Sequence, residues 1–159
     1  MRKIHFLPRH MAEAITPPPN CGVISIKTPL DPDACLSEAW SAILRLAFYD
    51  ADDPRDKADK AGMLFDEAAA SLILAFVKDN VGLDELVVHC DLGISRSAAV
   101  AIFLGEYLDV PAYRQGAPVD PRYRQHNAHV YRVLYNTACV LDDGQASSAR
   151  TPRTVTPGE

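Results

Sequence analysis

Long apolar runs are missing from this sequence, and so is any block rich in lysine or arginine. A helix that crosses a bilayer needs roughly 20 apolar residues in succession. The N-terminus, residues 1–8, is basic, but its apolar stretch is far too short for a secretory signal. We therefore expect a cytoplasmic protein without a membrane partner.

A positively charged surface is also missing, because the 159 residues carry a formal net charge of -5. Broad binding of nucleic acid needs a basic surface that replaces the counterions of the phosphate backbone. We therefore expect no nucleic-acid partner. An anionic substrate has to be captured by a local group of donors, not by the field of the whole protein. Nothing in the composition indicates an oligomeric state.

The four cysteines show neither CxxC pairs nor the spacing of zinc ligands. His126 and His129 likewise lack metal-binding partners at helical spacing, so the sequence predicts no metal site. In a cytoplasmic protein of this size the thiols stay reduced. Cys21, Cys35 and Cys139 are expected to act as small apolar residues. Cys90 stands in a different kind of sequence.

Strand-like and helix-like segments alternate along the chain. Short apolar runs predict strands at 4–7, 23–26, 43–48 and 86–88. Periodic apolar positions predict helices at 62–78, 97–108 and 121–141, with a short helix from Asp31 or Asp33 through Glu38. This alternation is typical of an α/β domain with a central, mostly parallel sheet flanked by helices.

The ends of the domain and the buried faces of its helices are predicted from the same patterns. One domain is expected over residues 1–141, with a linker at 111–121. Residues 142–159, rich in Gly, Ser, Thr and Pro, are expected to form a disordered tail. The helix at 97–108 is apolar nearly all round and is expected in the core. The inward stripes of the other two are predicted as Leu64, Ala68, Leu72, Ala75 and Phe76, and as Val130, Tyr131, Leu134, Tyr135 and Ala138.

The most informative stretch runs from His89 to Ser97, between a strand predicted to be buried on both faces and the apolar helix. Ligands of open α/β sheets bind at such carboxyl ends of strands. The residues between Cys90 and Arg96 can curl into a loop whose amides point inward and bind an anion. These predicted phosphate-binding residues are Asp91, Leu92, Gly93, Ile94 and Ser95.

The residue types around this loop predict a nucleophile beside an anion clamp. Gly93 permits a positive φ or a close approach of the backbone. Arg96 can hold two phosphate oxygens in a planar fork, and the helix adds the positive end of its dipole. The same field favours an ionised thiol, so we expect Cys90 to be a nucleophilic thiolate. Ser97 is expected to donate a hydrogen bond to this sulfur, and His89 to hold the loop by hydrogen bonding.

The pattern His-Cys-x5-Arg-Ser resembles the CX5R phosphate-binding loop of the protein tyrosine phosphatase superfamily. Its form HCxxGxSRS resembles the dual-specificity branch. The resemblance covers about residues 20 to 140 and implies that superfamily's fold and a phosphocysteine intermediate without a cofactor. It also implies that Cys90 is the nucleophile, Arg96 the phosphate clamp and Ser97 the partner of the thiolate.

The resemblance also implies a general acid, an aspartate on an upstream loop that protonates the leaving oxygen. Three aspartates follow the strand predicted at 43–48: Asp50, Asp52 and Asp53. Asp50 comes directly after the strand, where related dual-specificity phosphatases place their acid, so we favour Asp50, then Asp52, then Asp53. A solvated acidic loop that caps the next helix is an equally good interpretation of any one of them.

The substrate implied is a phosphorylated molecule, possibly a phosphoprotein. The loop contains Asp91 and no lysine, and a carboxylate at the rim would repel additional phosphates. This favours a singly phosphorylated substrate such as phosphotyrosine. Tyr113 and Tyr123 are candidates to flank the pocket.

Two other functions stay open at this point. The first is a binding module that keeps the anion loop without turnover. The second is thiol chemistry on another oxyanion, as in arsenate reductases or rhodanese-like domains.

Overall fold

The computed structural model describes residues 1–51 and 62–148, and the side chains of the last helix as far as Asp143. Within these ranges the strands are β1 (Lys3–Pro8), β2 (Cys21–Lys27), β3 (Ala42–Ala47), β4 (Glu85–Cys90), β5 (Ala112–Arg114) and β6 (Ala117–Pro118). The helices are α1 (Arg9–Ala14), α2 (Glu67–Asp79), α3 (Arg96–Leu108) and α4 (Ala128–Ser148).

The strands form one sheet in the order β3-β2-β4-β1-β5-β6. The first five are parallel to their neighbours, and β6 pairs antiparallel with β5. Parallel neighbours need crossover connections, which explains why helices separate most of the strands in the chain. The prediction of an α/β fold with a mostly parallel sheet flanked by helices is confirmed.

The sheet is covered on both faces, because alternate residues of a strand point to opposite sides. Leu86 and Val88 of β4 belong to the larger core, which includes buried residues of α2, α3 and α4. Val87 belongs to a smaller core with Ala12 of α1 and Trp40. β4 is therefore apolar on both faces, as its sequence predicted.

Helix α3 lies against the strands that carry the site. It packs on β1, β4 and α4, and its residues from Arg96 to Ala101 are all buried. Its all-round apolar sequence predicted this position. The helix begins six residues after Cys90, so its N-terminus is at the carboxyl end of the central strand.

Helix α2 differs from its prediction in start and in orientation. It begins at Glu67 because Asp66 caps it, accepting a hydrogen bond from the Ala69 amide at 2.9 Å. Its buried residues are Ala70, Ile73, Leu74 and Val77, whereas Ala68, Leu72 and Ala75 are exposed. The predicted stripe was wrong because this helix is apolar on more than one side, and packing on the sheet and α4 selects the buried side.

Helix α4 is displaced along the chain relative to its prediction. It begins at Ala128, not at residue 121, because Asn127 caps it through the Val130 amide at 2.9 Å. It continues to Ser148, so the first residues of the predicted tail are helical, whereas 149–159 lie outside the described residues. Val130, Leu134 and Ala138 are buried as predicted, but Tyr135 is exposed and Thr137 is buried instead.

Two short segments also differ from the predictions. Residues 31–38 form no helix; a short helix, α1, occurs instead at Arg9–Ala14. The predicted linker at 111–121 contains the β5–β6 hairpin, whose turn places Gln115 and Gly116 at φ 49° and 86°. Positive φ at both central residues is the geometry that joins antiparallel strands by two residues. None of the described helices has the length and apolar character to cross a membrane.

Candidate active site

The site lies at one edge of the sheet, where four parallel strands end. In register, Pro8 at the end of β1 lies beside Cys90 at the end of β4. Thr28 follows β2, and Asp50 follows β3. Parallel strands bring their carboxyl ends to the same edge, so residues far apart in sequence meet around the loop after Cys90.

Gly93 allows the loop to turn against the end of β1. Its φ is +65°, and an added Cβ would lie 2.3 Å from the Pro8 nitrogen and from the Leu7 carbonyl carbon. Any other residue would meet both a disfavoured backbone conformation and a collision with main-chain atoms that cannot move aside. Glycine is therefore required here by backbone geometry and by packing.

Three neighbours hold the loop by its carbonyl groups. The Arg9 amide donates to the Asp91 carbonyl at 3.3 Å, and the Asn127 amide to the Ser95 carbonyl at 3.1 Å. The Tyr123 hydroxyl donates to the Ile94 carbonyl at 2.6 Å. Burial raises the pKa of Tyr123, so its phenol stays a donor at neutral pH. Tyr123 therefore flanks the loop, whereas Tyr113 packs against His5.

The amides of this loop remain available to a ligand. Within the described chain, Leu92, Gly93 and Ile94 donate no main-chain hydrogen bond. The first amides of α3 have no partner within their own helix, as at any helix start. Free amides at a helix N-terminus, beside a guanidinium, form an anion-binding site.

Cys90 lies at the base of this loop. It is buried, and its Sγ lies 3.2 Å from the Ser97 Oγ on the first turn of α3. Cys21 differs: it begins β2, at the opposite end of the sheet, and burial raises its pKa to about 11. Cys35 and Cys139 are exposed, so the expectation that they act as small apolar residues was wrong.

Arg96 is buried with a side chain only 4 % exposed. Its Nη1 donates to the Phe48 carbonyl at 2.9 Å and to the Thr28 Oγ1 at 3.2 Å. Its Nε has no hydrogen-bond partner among the described residues. A buried guanidinium nitrogen without a partner is costly unless a ligand supplies an acceptor.

Asp91 turns toward Arg96. Its Oδ2 accepts hydrogen bonds from Arg96 Nη2 at 2.6 Å and from the Thr28 hydroxyl at 3.1 Å. We expected a carboxylate at the rim that repels additional phosphates. An ion pair with Arg96 largely neutralises that charge, so the repulsion argument was wrong for this conformation.

Asp50 is the one of the three predicted acids that lies within the described residues. Its Oδ1 accepts hydrogen bonds from the Ser95 hydroxyl at 2.7 Å and from Asn127 Nδ2 at 2.8 Å. The side chain is therefore attached to the loop residue that precedes Arg96. Asp52 and Asp53 lie outside the described residues.

No protein-family model, curated protein or solved structure matches this chain. Its chemistry therefore has to be inferred from its own residues. A thiol, a buried guanidinium and a carboxylate converge on one loop, whose free amides are suited to an anion. Such a set can attack a phosphorus atom, stabilise the charge on its oxygens and deliver a proton to a leaving group.

The sequence interpretation missed two residues of this site, Thr28 and Asn127. Thr28 directly follows β2. The rule that ligands bind at the carboxyl ends of parallel strands could therefore have identified it as a candidate. Asn127 directly precedes the amphipathic run of α4, which is the sequence signal of a helix cap. Neither signal reveals that these side chains contact Arg96 and Asp50.

His89 lies on the opposite face of β4 from Cys90, because adjacent residues of a strand point to opposite sides. It is 1 % exposed, and neither ring nitrogen has a hydrogen-bond partner in the described chain. The prediction that it holds the loop by hydrogen bonding was wrong. Burial, then the charge of Arg9, lowers the pKa of His89 to about 4. The main chain of the adjacent Cys90 raises the pKa of His89 less than any other group, and it does not form a hydrogen bond with either ring nitrogen.

Acid should destabilise the fold through His89. An unfolded histidine takes up its proton near pH 6.5, whereas folded His89 resists it down to about 4. The free energy of unfolding is therefore highest above pH 6.5 and decreases as the pH falls from 6.5 toward 4. The decrease is about 2 kcal/mol between pH 7 and pH 5. Urea unfolding of the wild type and of His89→Leu at both pH values measures this difference. Equal pH dependence in the two proteins would contradict it.

Proposed function

We propose that this chain hydrolyses phosphate monoesters through a phosphocysteine on Cys90. The observation that carries the proposal is the pairing of the Cys90 sulfur with Ser97 at the base of a loop that ends in a buried, incompletely bonded guanidinium. An oxyanion seated in the loop would supply the acceptor that Arg96 Nε lacks. It would at the same time lie against the nucleophilic sulfur.

The first step transfers the phosphoryl group to the enzyme. The Cys90 thiolate attacks phosphorus, the ester P–O bond breaks, and the leaving oxygen takes a proton from Asp50. Arg96 and the loop amides stabilise the charge on the non-bridging oxygens. The products of this step are an alcohol or phenol and a phosphocysteine.

The second step releases inorganic phosphate. Water attacks the phosphocysteine and gives up a proton to the Asp50 carboxylate, and the P–S bond breaks. The Cys90 thiolate leaves, stabilised by a hydrogen bond from the Ser97 hydroxyl at 3.2 Å. Asp50 is protonated again and the cycle is complete.

The finer assignment is a protein tyrosine phosphatase of the dual-specificity type acting on phosphoproteins. Support comes from the HCxxGxSRS loop at the carboxyl end of a central parallel strand. The reacting cysteine is only 2 % exposed, which favours the long side chain of phosphotyrosine over shorter ones. The reaction needs a free thiol, so we place it in the reducing cytoplasm.

Release of phosphate from an aryl phosphate, without added metal, tests the proposal. Rapid quenching followed by mass spectrometry should find a phosphate on the peptide that contains Cys90. Binding of phosphorylated tyrosine peptides without turnover would instead indicate a non-catalytic binding module. A disulfide formed on exposure to arsenate would indicate thiol chemistry on other oxyanions.

The role of Asp50 is tested with two leaving groups. Asp50→Asn should lower kcat/KM for phenyl phosphate by roughly 10²–10³-fold, because kcat/KM reports the first step, in which the phenolate must be protonated as it leaves. Nitrophenyl phosphate, whose leaving group needs little protonation, should lose much less. Steady-state kinetics on both substrates measures the difference, and Asp66→Asn, at the cap of α2, is a matched control. Equal losses for both substrates would assign the acid to another residue.

A further inference from the structure

Asn127 is a fully buried polar residue that contacts both sides of the site. It is 0 % exposed. Its side-chain amide donates to Asp50 Oδ1 at 2.8 Å and to the Ala51 carbonyl at 3.1 Å. Its main-chain amide donates to the Ser95 carbonyl at 3.1 Å. One residue thus joins the segment that carries the proposed acid to the loop that carries the proposed nucleophile.

The orientation of the Asn127 side chain is set by helix α4. Its Oδ1 accepts the Val130 amide at 2.9 Å, which caps the helix. With the oxygen held in this way, the amide nitrogen has to point at Asp50 and Ala51. α4 in turn packs on α2 and α3, so the donor is held by the core and not by a surface loop.

Both hydrogen bonds to Asp50 reach the same carboxylate oxygen. The Ser95 hydroxyl and Asn127 Nδ2 donate to Oδ1, and no described residue donates to Oδ2. An oxygen that already accepts two hydrogen bonds is a poor place for the acidic proton. The proton of a neutral Asp50 is therefore directed to Oδ2, the oxygen left for a substrate.

We propose that Asn127 is a positioning residue that fixes the proton of Asp50 on Oδ2 and holds it at a set distance from the Cys90 loop. This rests on the proposed phosphatase function. Asn127 does not touch the reacting atoms and acts only through Asp50 and Ser95. Its contribution should therefore appear only where proton transfer to the leaving group limits the rate.

Asn127→Ser separates the two uses of the side chain. Serine can still cap α4, but it is too short to donate to Asp50. We expect kcat/KM for phenyl phosphate to fall roughly 10–100-fold, while kcat/KM for nitrophenyl phosphate and inhibition by inorganic phosphate change less than about threefold. Asn136→Ser, on the exposed side of the same helix, is the matched control and should match the wild type.

Two further variants guard against a general loss of structure. Asn127→Asp also keeps the cap, but the two carboxyl groups would share a proton at Asp50 Oδ1, away from Oδ2, so the same selective loss is expected. In an Asp50→Asn background, Asn127→Ser should add little, because the group through which it acts is already gone.

The outcomes separate the inference from the function on which it rests. Equal losses on both substrates with weakened phosphate inhibition would show a structural role and overturn the inference while leaving the phosphatase intact. Additive losses in the double variant would overturn it as well. A wild-type protein that releases phosphate from neither substrate would refute the proposed function, and the inference with it.

Discussion

Cys90→Ser should release phosphate from an aryl phosphate roughly 10⁴–10⁶-fold more slowly than the wild type, yet bind inorganic phosphate at least as well. A serine hydroxyl at this position has no general base to activate it, because its neighbour within reach is another hydroxyl, that of Ser97. Phosphate binding survives because it depends on Arg96 and the loop amides. In the proposed mechanism the sulfur is a thiolate, and a neutral hydroxyl in its place would not repel the bound phosphate.

Turnover assays and calorimetric titration with phosphate measure the two halves of this result. Cys35→Ser and Cys139→Ser are matched controls, because both thiols are exposed, and each should retain wild-type activity. Undiminished turnover in Cys90→Ser would rule out covalent catalysis at this residue. Loss of phosphate binding together with turnover would show instead that the cysteine is needed to keep the loop in shape.

Arg96→Lys should weaken phosphate binding roughly 10–100-fold and lower kcat/KM by roughly 10²–10³-fold. The guanidinium bonds Phe48, Thr28 and Asp91 at once and still has Nε free. An ammonium group keeps the charge, but it has three donors and no planar fork. A lysine that satisfies Asp91 and the Phe48 carbonyl has little left for two phosphate oxygens.

Thermal unfolding of Arg96→Lys should be measured as well, because a buried residue that joins the ends of β2 and β3 to the loop also contributes to stability. Arg122→Lys is the matched control, since Arg122 is an exposed arginine whose bonds are to Asp120 in its own turn. A variant that unfolds as the wild type does and retains wild-type kcat/KM would show that Arg96 does not clamp the phosphate.

The two variants together separate the effect on turnover from the effect on phosphate binding. Cys90→Ser should lose the reaction and keep the ligand, whereas Arg96→Lys should lose much of both. If Arg96→Lys bound phosphate as tightly as the wild type, the loop would bind its ligand through other groups. Neither result depends on which aspartate donates the proton.

Several features of the fold could be predicted from local sequence. The middle of β4 and the first turns of α3 are apolar nearly all round, so both were expected to be buried, and the loop between them was expected at the carboxyl end of the strand. α2 was predicted as a helix but with the wrong buried side. Its apolar residues occupy more than one face, and only packing against the sheet and α4 selects among them.

The wrong prediction for His89 could have been avoided, because adjacent residues of a strand point to opposite faces of the sheet. Because it is adjacent to Cys90 in β4, its ring has to point to the α1 side of the sheet, away from the anion loop. Asp91 shows the opposite case. Its carboxylate accepts hydrogen bonds from Arg96 in the same loop and from Thr28, which follows β2, and the local sequence does not reveal the contact with Thr28.

By itself, the sequence determined the nature of the loop: a cysteine and an arginine at the ends of a tight turn, with a glycine where the backbone needs one. These properties are local, since they depend on residues within one strand end and one helix start. Only the tertiary structure decided which distant side chains complete the site. Thr28, Asp50 and Asn127 reach it because parallel strands end at one edge and α4 packs beside them, and pairings over such separations leave no periodic trace in the chain.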